Sequence, residues 1–405
     1  MATALLVRNR NYRYLFGAGA LTNLGDGFIV LALPWLATLM TNNAFLIGMV
    51  AAAGRLPWLL FAIPAGVLID RTDRRILIVR ADLLRAGIVI AIMMLALNDQ
   101  VQGAIWVLAG LAFLLGAAEV LRDNAAQTIL PSIVDPEDLE AANGQLWSTE
   151  QLTGQFIGPP LAGVLIAAGI AVPFGLHAAF LVLGAGLVWL ITLPPHIKRE
   201  TGFRDALLEG IRFMRGDALL LRLAIVLGVV NFLGMAVMTV QVLLAQDVLG
   251  LSAATYGLVL SAGAVGAITG SLLAPRITRI LGIQLSLYAS MVAWAIGYSA
   301  MGLSSHGAVM GAGLFVMMAG AMLWNVITVS WRQRRIPQDL LGRVNSIYRF
   351  FGWGSMPLGA LGGGLIVTLL EDDLGRELAI RTPILIAAVS CVALLIYAIC
   401  KLRLD

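Results

Sequence analysis

The sequence predicts an all-α membrane protein: twelve transmembrane helices in two pseudo-symmetric six-helix bundles. Three observations predict it. Of 405 residues, 60% are hydrophobic and 12% charged, whereas a soluble domain holds ~45–50% apolar and ~25% charged residues. So little charge cannot cover a water-facing surface, which excludes a soluble globular enzyme. At roughly 20 apolar residues per crossing, that composition supplies about twelve spans. The third observation is an internal echo: Pro136-Glu-Asp-Leu139 returns as Pro337-Gln-Asp-Leu340, and Leu161-Ala-Gly-Val-Leu-Ile166 returns as Leu361-Gly-Gly-Gly-Leu-Ile366, at nearly one offset. Duplicated halves of this kind place a substrate site near the midplane.

In order, apolar runs bounded by charge or turn residues fall at 13–40, 45–68, 77–98, 103–127, 140–168 and 172–193, then at 219–248, 253–275, 282–302, 307–330, 341–369 and 379–400. This divides the chain into an N-terminal bundle over 1–193, a linker over 194–218 and a C-terminal bundle over 219–405. Within the linker Phe203, Ala206, Leu207, Gly210, Ile211 and Met214 recur at helical spacing opposite Arg204, Asp205, Glu209, Arg212 and Arg215. An amphipathic helix lying at the inner interface is expected there, tethering the halves. The first run is expected to stay as a span and not to be a cleaved signal, because Arg8, Arg10 and Arg13 precede about 28 residues without a convincing small-residue cleavage site. Cys391 and Cys400 share the last run and cannot bridge without breaking it, so both are read as packed thiols.

Lys and Arg give the orientation. With the N-terminus in the cytoplasm, Arg71, Arg74, Arg75, Arg80, Arg276, Arg279, Arg332, Arg334, Arg335 and Arg343 fall inside, as do the basic residues of the linker and both termini. Arg376 and Arg381 alone fall outside. Both termini are therefore expected in the cytoplasm. The net charge of +4 is this inner-loop bias, and no nucleic-acid partner is implied.

The sharpest local motif is Gly66-Val-Leu-Ile-Asp70-Arg71-Thr-Asp73-Arg74-Arg75, in the turn between the second and third runs. Two acids and three arginines in one tight turn exceed what topology needs, and carboxylate–guanidinium pairs are strong where water is partly excluded. Here the sequence resembles the major facilitator superfamily, whose signature loop has this pattern with glycine where Asp73 stands. The resemblance implies a gating latch, closed from the fourth span by Asp123 reaching Arg74 or Arg75. Glu119, Arg122 and Asp123 share one face of that span.

On the fifth span, Gly154-Gln-Phe-Ile-Gly158-Pro159-Pro160-Leu-Ala162-Gly163 combines small residues four apart with helix-kinking prolines. It resembles the superfamily's antiporter motif, with Ala162 in place of one glycine, and that resemblance implies export. Ala81-Asp-Leu-Leu-Arg85, Leu139-Glu-Ala-Ala-Asn143 and Leu341-Gly-Arg-Val-Asn345-Ser are similar to a bacterial drug and siderophore exporter branch that includes macrolide efflux and enterobactin export proteins.

Ionisable residues inside spans are costly and point to function. Asp26 and Arg55 fall at comparable depth on adjacent antiparallel runs, so an ion pair is expected, and Asp26 is a candidate proton carrier as Arg55 is engaged or freed. Glu150, beside Gln145, Gln151 and Gln155, is its rival, with Glu119 third. Candidate substrate contacts are Trp35, Trp58, Gln151, Asn231, Gln241, Asn325, Arg349 and Trp353. His177 is placed near the outer face with no role.

No phosphate-binding loop, metal-ligand spacing or nucleophile–base constellation is present, so neither cofactor, metal nor enzymatic activity is expected. The resemblance implies a monomeric secondary transporter of the bacterial inner membrane, exchanging protons for amphipathic small molecules by alternating access. A nutrient importer, a lysolipid flippase or a transport-inactive membrane sensor of the same fold are the alternatives.

Overall fold

A computed structural model describes the backbone of residues 2–98, 103–193, 212–336 and 350–403, with Val344 and Tyr348 between the last two. The side chains of residues 2–4, 62–71, Pro136 and Glu140 are not among those described. Helix is the regular structure throughout, and no strand occurs among the described residues.

The chain opens with α1 (Ala2–Arg8) and α2 (Arg10–Met40), divided at Asn9, whose side chain accepts from Tyr12 N–H at the start of α2. It continues through α3 (Ala44–Arg71), α4 (Arg74–Ala96), α5 (Ile105–Ile129), α6 (Leu139–Glu150), α7 (Gly158–Ala168) and α8 (Val172–Trp189). The remaining helices are α9 (Ala218–Leu243), α10 (Ala253–Gly302), α11 (Gly307–Arg335), α12 (Met356–Leu374) and α13 (Arg376–Lys401). Nine helical stretches among the described residues are long and apolar enough to cross a membrane. One of them, α10, runs 50 residues and holds two crossings, because Gly282 breaks it at φ 77°. That left-handed backbone is open to glycine and strained for other residues. The charged α4 and the interrupted stretch 139–168 complete the twelve crossings of the predicted fold.

The stretch 139–168 is interrupted for a visible reason. Pro159 lacks an N–H and its ring crowds the preceding turn, so the helix widens to a π segment over Gln151–Ile157, where Gly158 N–H donates to Thr153 O. Short polar devices fix other helix starts. Asp73 accepts from Arg75 N–H at 2.9 Å and Ile76 N–H at 3.2 Å, capping α4. Asp217 accepts from Leu219 N–H and Leu220 N–H, both at 3.1 Å, capping α9. Asp73 thus does the work of an N-cap where the superfamily turn has glycine.

The described residues gather into two compact units, Met1–Asn42 with Ala53–Glu200 and Ser252–Gly257, and Asn43–Ala52 with Thr201–Leu251 and Leu258–Asp405. In the first, α8 packs along α2 and α4, and α4 along α5. The end that carries α1 is tied by Asn9 Nδ2 donating to Ile133 O at 2.6 Å, by an Arg8–Asp138 ion pair and by Tyr12 OH donating to Gln145 Oε1 at 2.9 Å. In the second, α9 packs along α12. Trp294 and Trp324 stack at 5.3 Å, and Arg376 joins Asp247 at 2.9 Å to Glu371 at 3.0 Å. Of the two thiols, Cys391 is buried but Cys400 is exposed, because it points off the packed face of α13.

Candidate transport site

The charges inside the first unit collect at one place. Asp82 and Arg85, one turn apart on α4, are 0% and 1% exposed, and Arg85 Nη1 lies 3.2 Å from Asp82 Oδ1. The second terminal nitrogen of Arg85, Nη2, pairs with Asp26 Oδ1 on α2. From α5, Arg122 sends Nε to within 3.7 Å of the same Asp82 oxygen, Nη1 to Asp123 Oδ1 at 3.1 Å and Nη2 to Thr22 Oγ1 at 2.8 Å. From α8, His177 brings Nε2 to 3.3 Å from Asp26 Oδ1. Four helices therefore converge on one buried network of alternating carboxylates and guanidiniums. A charge taken from water is tolerated only when paired in this way.

The partner of Asp26 is thus Arg85 and not Arg55, as charge depth alone suggests. Arg55 is half-buried, and its charge acts on Glu119, which also feels Asp123, Asp26 and Arg85. Glu150 is exposed. The latch residues are also arranged differently from expectation. Arg74 Nη1 donates to Thr128 O at 2.8 Å and Ser132 Oγ at 3.3 Å, and Arg75 Nη1 donates to Ile191 O at 3.1 Å while lying over the Trp189 ring. Asp123 is held by Arg122 instead of either arginine. Gly66, Asp70 and Arg71 lie on helical backbone, and the side chains of Asp70 and Arg71 lie outside the described residues.

The Gly-Pro motif abuts the network. Gly154 and Gly158 press against the α2 backbone at Asn23 and Gly27, one residue past Asp26, while Gly163 meets Ala253 and Ala254 and Pro159 meets Gly257. Among the substrate candidates, Trp35 stacks on Tyr256 at 6.3 Å, and Trp58, Gln151 and Trp353 are half-buried. Asn231 Nδ2 donates to Gly352 O at 2.9 Å, Gln241 is buried, and Asn325 is exposed. Arg349 lies outside the described residues.

Three network members escaped the sequence reading as site residues: Asp82, Arg85 and His177. The i, i+3 acid–base spacing of Asp82 and Arg85 inside an apolar run was the signal available for two of them. For His177 the sequence held no such signal: the fit of its ring over Gly25 shows only once α2 and α8 are packed together.

The same helical architecture occurs in solved transporters. A point mutant of the nucleoside transporter NupG superposes with TM-score 0.79 over 97% of this chain and 100% of that one at 12% identity. A bacterial homologue of the lysosomal transporter Spinster gives 0.75 over 97% and 96% at 14% identity. At such identities the likeness is one of fold. Twelve crossings with this fold define a multi-pass helical membrane protein. Residues 2–404 match the family described as transmembrane secretion effector, and the chain belongs to that family. Among curated relatives, the multidrug efflux pump Tap of Mycobacterium tuberculosis is 31% identical over 214 residues, and that match spans about half of either protein, 47% of each. The enterobactin exporter EntS of Salmonella typhimurium is 27% identical over 402 residues, covering 97% of this chain and 92% of that protein. Tap of Mycolicibacterium fortuitum is 26% identical over 397 residues, with 91% and 92% covered.

Proposed function

We propose that this protein exports amphipathic small molecules of the drug, macrolide or siderophore class across the bacterial inner membrane by proton antiport. The direction of transport is supported by the Gly154–Gly163 motif and by relatives named as efflux pumps and an enterobactin exporter. It works as a monomer with both termini in the cytoplasm, residues 1–193 and 219–405 forming the two halves of an alternating-access cycle and 194–218 the tether.

The observation that carries the proton coupling is the exposure gradient within the charge network. Asp82 and Arg85 are closed off, whereas the Asp26 side chain is 34% exposed. Asp26, like Asp123 at 32%, can therefore exchange a proton with a water-filled cavity, and of the two it is Asp26 that pairs with Arg85, which as a guanidinium stays charged and sets whether that carboxyl is paired. When Arg85 engages Asp26, the carboxylate form is favoured. When Arg85 releases Asp26 and keeps Asp82 alone, the carboxyl accepts a proton. Glu119, on which the charge of Arg55 acts, and the exposed Glu150 are further stations on this path. The loop Gly66, Asp70, Arg71, Asp73, Arg74, Arg75, with Arg122 and Asp123, holds the inner side shut in the outward-facing state. Trp35, Trp58, Gln151, Asn231, Gln241, Asn325, Arg349 and Trp353 shape the substrate cavity.

The deciding experiment is efflux of ethidium, erythromycin and enterobactin from energised cells producing the protein, with and without a protonophore. Efflux that stops when the gradient collapses supports the reading, and accumulation overturns the direction. Full uphill transport by both Asp26→Asn and Glu150→Gln proteins in proteoliposomes overturns the coupling assignment.

A further inference from the structure

Among the described residues the network holds more carboxylates than guanidiniums. Asp26, Asp82 and Asp123 make direct contacts with two guanidiniums, Arg85 and Arg122. Glu119 adds a further acid, on which the charges of Asp123, Asp26, Arg85 and Arg55 act. A buried cluster left with a net negative charge is costly, and a proton is the compensating cation the surroundings can supply. The group placed to hold it alongside Asp26 is His177. Its ring is 0% exposed, and neither ring nitrogen makes a hydrogen bond of ordinary geometry among the described residues. Its Nε2 faces Asp26 Oδ1 at 3.3 Å. Gly25 leaves the space that lets the ring reach this position.

We infer that His177 and Asp26 form one shared proton site, so that the imidazole, and not the carboxyl alone, stores the proton exchanged for substrate. This deepens the antiport reading above and rests on it for its role in transport, though the pair itself does not. The elements packed on the helix of the ring bring a defined set of charges, Asp26 from α2 and Asp82 and Arg85 from α4. Helix α5 joins them at one remove through Arg122, which reaches Asp82 and holds Asp123, and through Glu119. The neighbouring α7 carries no titratable residue. In the loaded state the proton sits between Nε2 and Oδ1, and the three contacting carboxylates are balanced by Arg85, Arg122 and the imidazolium. On substrate binding the proton leaves through the exposed edge of Asp26, and the imidazole returns to neutral. No bond other than the N–H or O–H changes. His177 is a positioning and proton-storing residue in this scheme.

The first proton bound by two coupled sites is held with the sum of their separate affinities. Deleting the imidazole therefore moves the midpoint of substrate-coupled proton release to lower pH, by about 0.3 unit if the sites share equally and by more if His177 holds the larger share. The test measures proton release on adding ethidium to the purified protein across pH 5 to 9, for the wild type and His177→Gln. A lower midpoint in the variant supports the shared site, and an unchanged midpoint overturns it. If the wild type releases no proton with ethidium, the antiport reading loses its support and the pair is judged directly. His196→Gln/His306→Gln leaves His177 as the sole histidine, and 15N NMR then follows its ring. A ring that titrates, with a midpoint displaced by Asp26→Asn, establishes the shared site. A ring that never protonates between pH 5 and 9, or titrates indifferently to Asp26→Asn, overturns it.

Discussion

Gly27 and Gly158 meet backbone to backbone: a Cβ built on Gly158 would lie 2.6 Å from Gly27 Cα and 2.9 Å from Gly27 C. Neither partner is a flexible side chain, so the contact cannot yield without moving a helix. Gly158→Ala should therefore cost about 1–3 kcal/mol by overpacking. Gly144, with nothing near its added Cβ, is the control, and Gly144→Ala should be neutral or gain about 0.5–1 kcal/mol from helix propensity. Thermal unfolding in detergent reads both, as a lower Tm for the first and an equal or higher Tm for the second.

Arg85 is the keystone of the charge network because it serves Asp26 and Asp82 together. Arg85→Met leaves two carboxylates without that partner, and breaking a buried pair from one side costs about 3–5 kcal/mol. Asp82→Asn/Arg85→Met should lose less than the sum of the two single substitutions, since the orphaned charge is removed with its partner. A double-mutant cycle of unfolding midpoints checks this, and additivity would contradict the pairing.

Asp73 caps α4 through two backbone N–H groups. Asp73→Ala should cost about 1 kcal/mol, whereas Asp73→Asn, an equally good N-cap, should cost far less. If the carboxylate charge mattered more than the cap, the two variants would lose equal stability in the same melting assay.

Acid should act on Asp217 in a defined direction. Partial burial pushes its carboxyl up, but hydrogen bonds from Leu220 N–H, Arg335 and Leu219 N–H outweigh this and hold it below its usual value. A depressed carboxyl contributes stability above its unfolded pKa of about 3.9 and loses it as pH falls through the lower folded value. The Tm difference between wild type and Asp217→Asn should thus be constant from pH 7 to about 5 and shrink toward zero below pH 4. A difference that grows on acidification would reverse the assignment.

The spans were legible in the sequence because a lipid-facing helix must be apolar along its whole length. The expected run 13–40 appears as Arg10–Met40, 172–193 as Val172–Trp189, and 307–330 as Gly307–Arg335. Rotation was not legible. Helices such as α3 and α8 are apolar on every face, so no period shows which side turns inward, and Asp26 could be matched to Arg55 by depth but not to Arg85 by direction. His177 lies six positions into α8, near one end by count. Counting along one helix does not fix its level against a neighbour, and here the ring meets an acid well inside α2. The latch motif was readable as a motif, yet the shortest hydrogen bonds of Arg74 and Arg75 run to main-chain carbonyls, which leave no trace in side-chain patterns.

The widened turn at Gln151–Ile157 has an arithmetic consequence. A π segment spends one residue more than an α-helix over the same rise, and one residue is about 100° of rotation. Glu150 and Gln145 therefore face a direction offset by that angle from the one an unbroken helix would give them, while Gly158 and Gly163 keep theirs. Thr153 is in effect a spare residue: its deletion would let the helix close up as regular α and swing the polar stripe before it around the axis, leaving the glycine contacts with Gly27 and Ala253 in place. The fifth crossing thus carries two faces in independent register, one committed to packing and one free to be re-aimed by a single-residue insertion or loss.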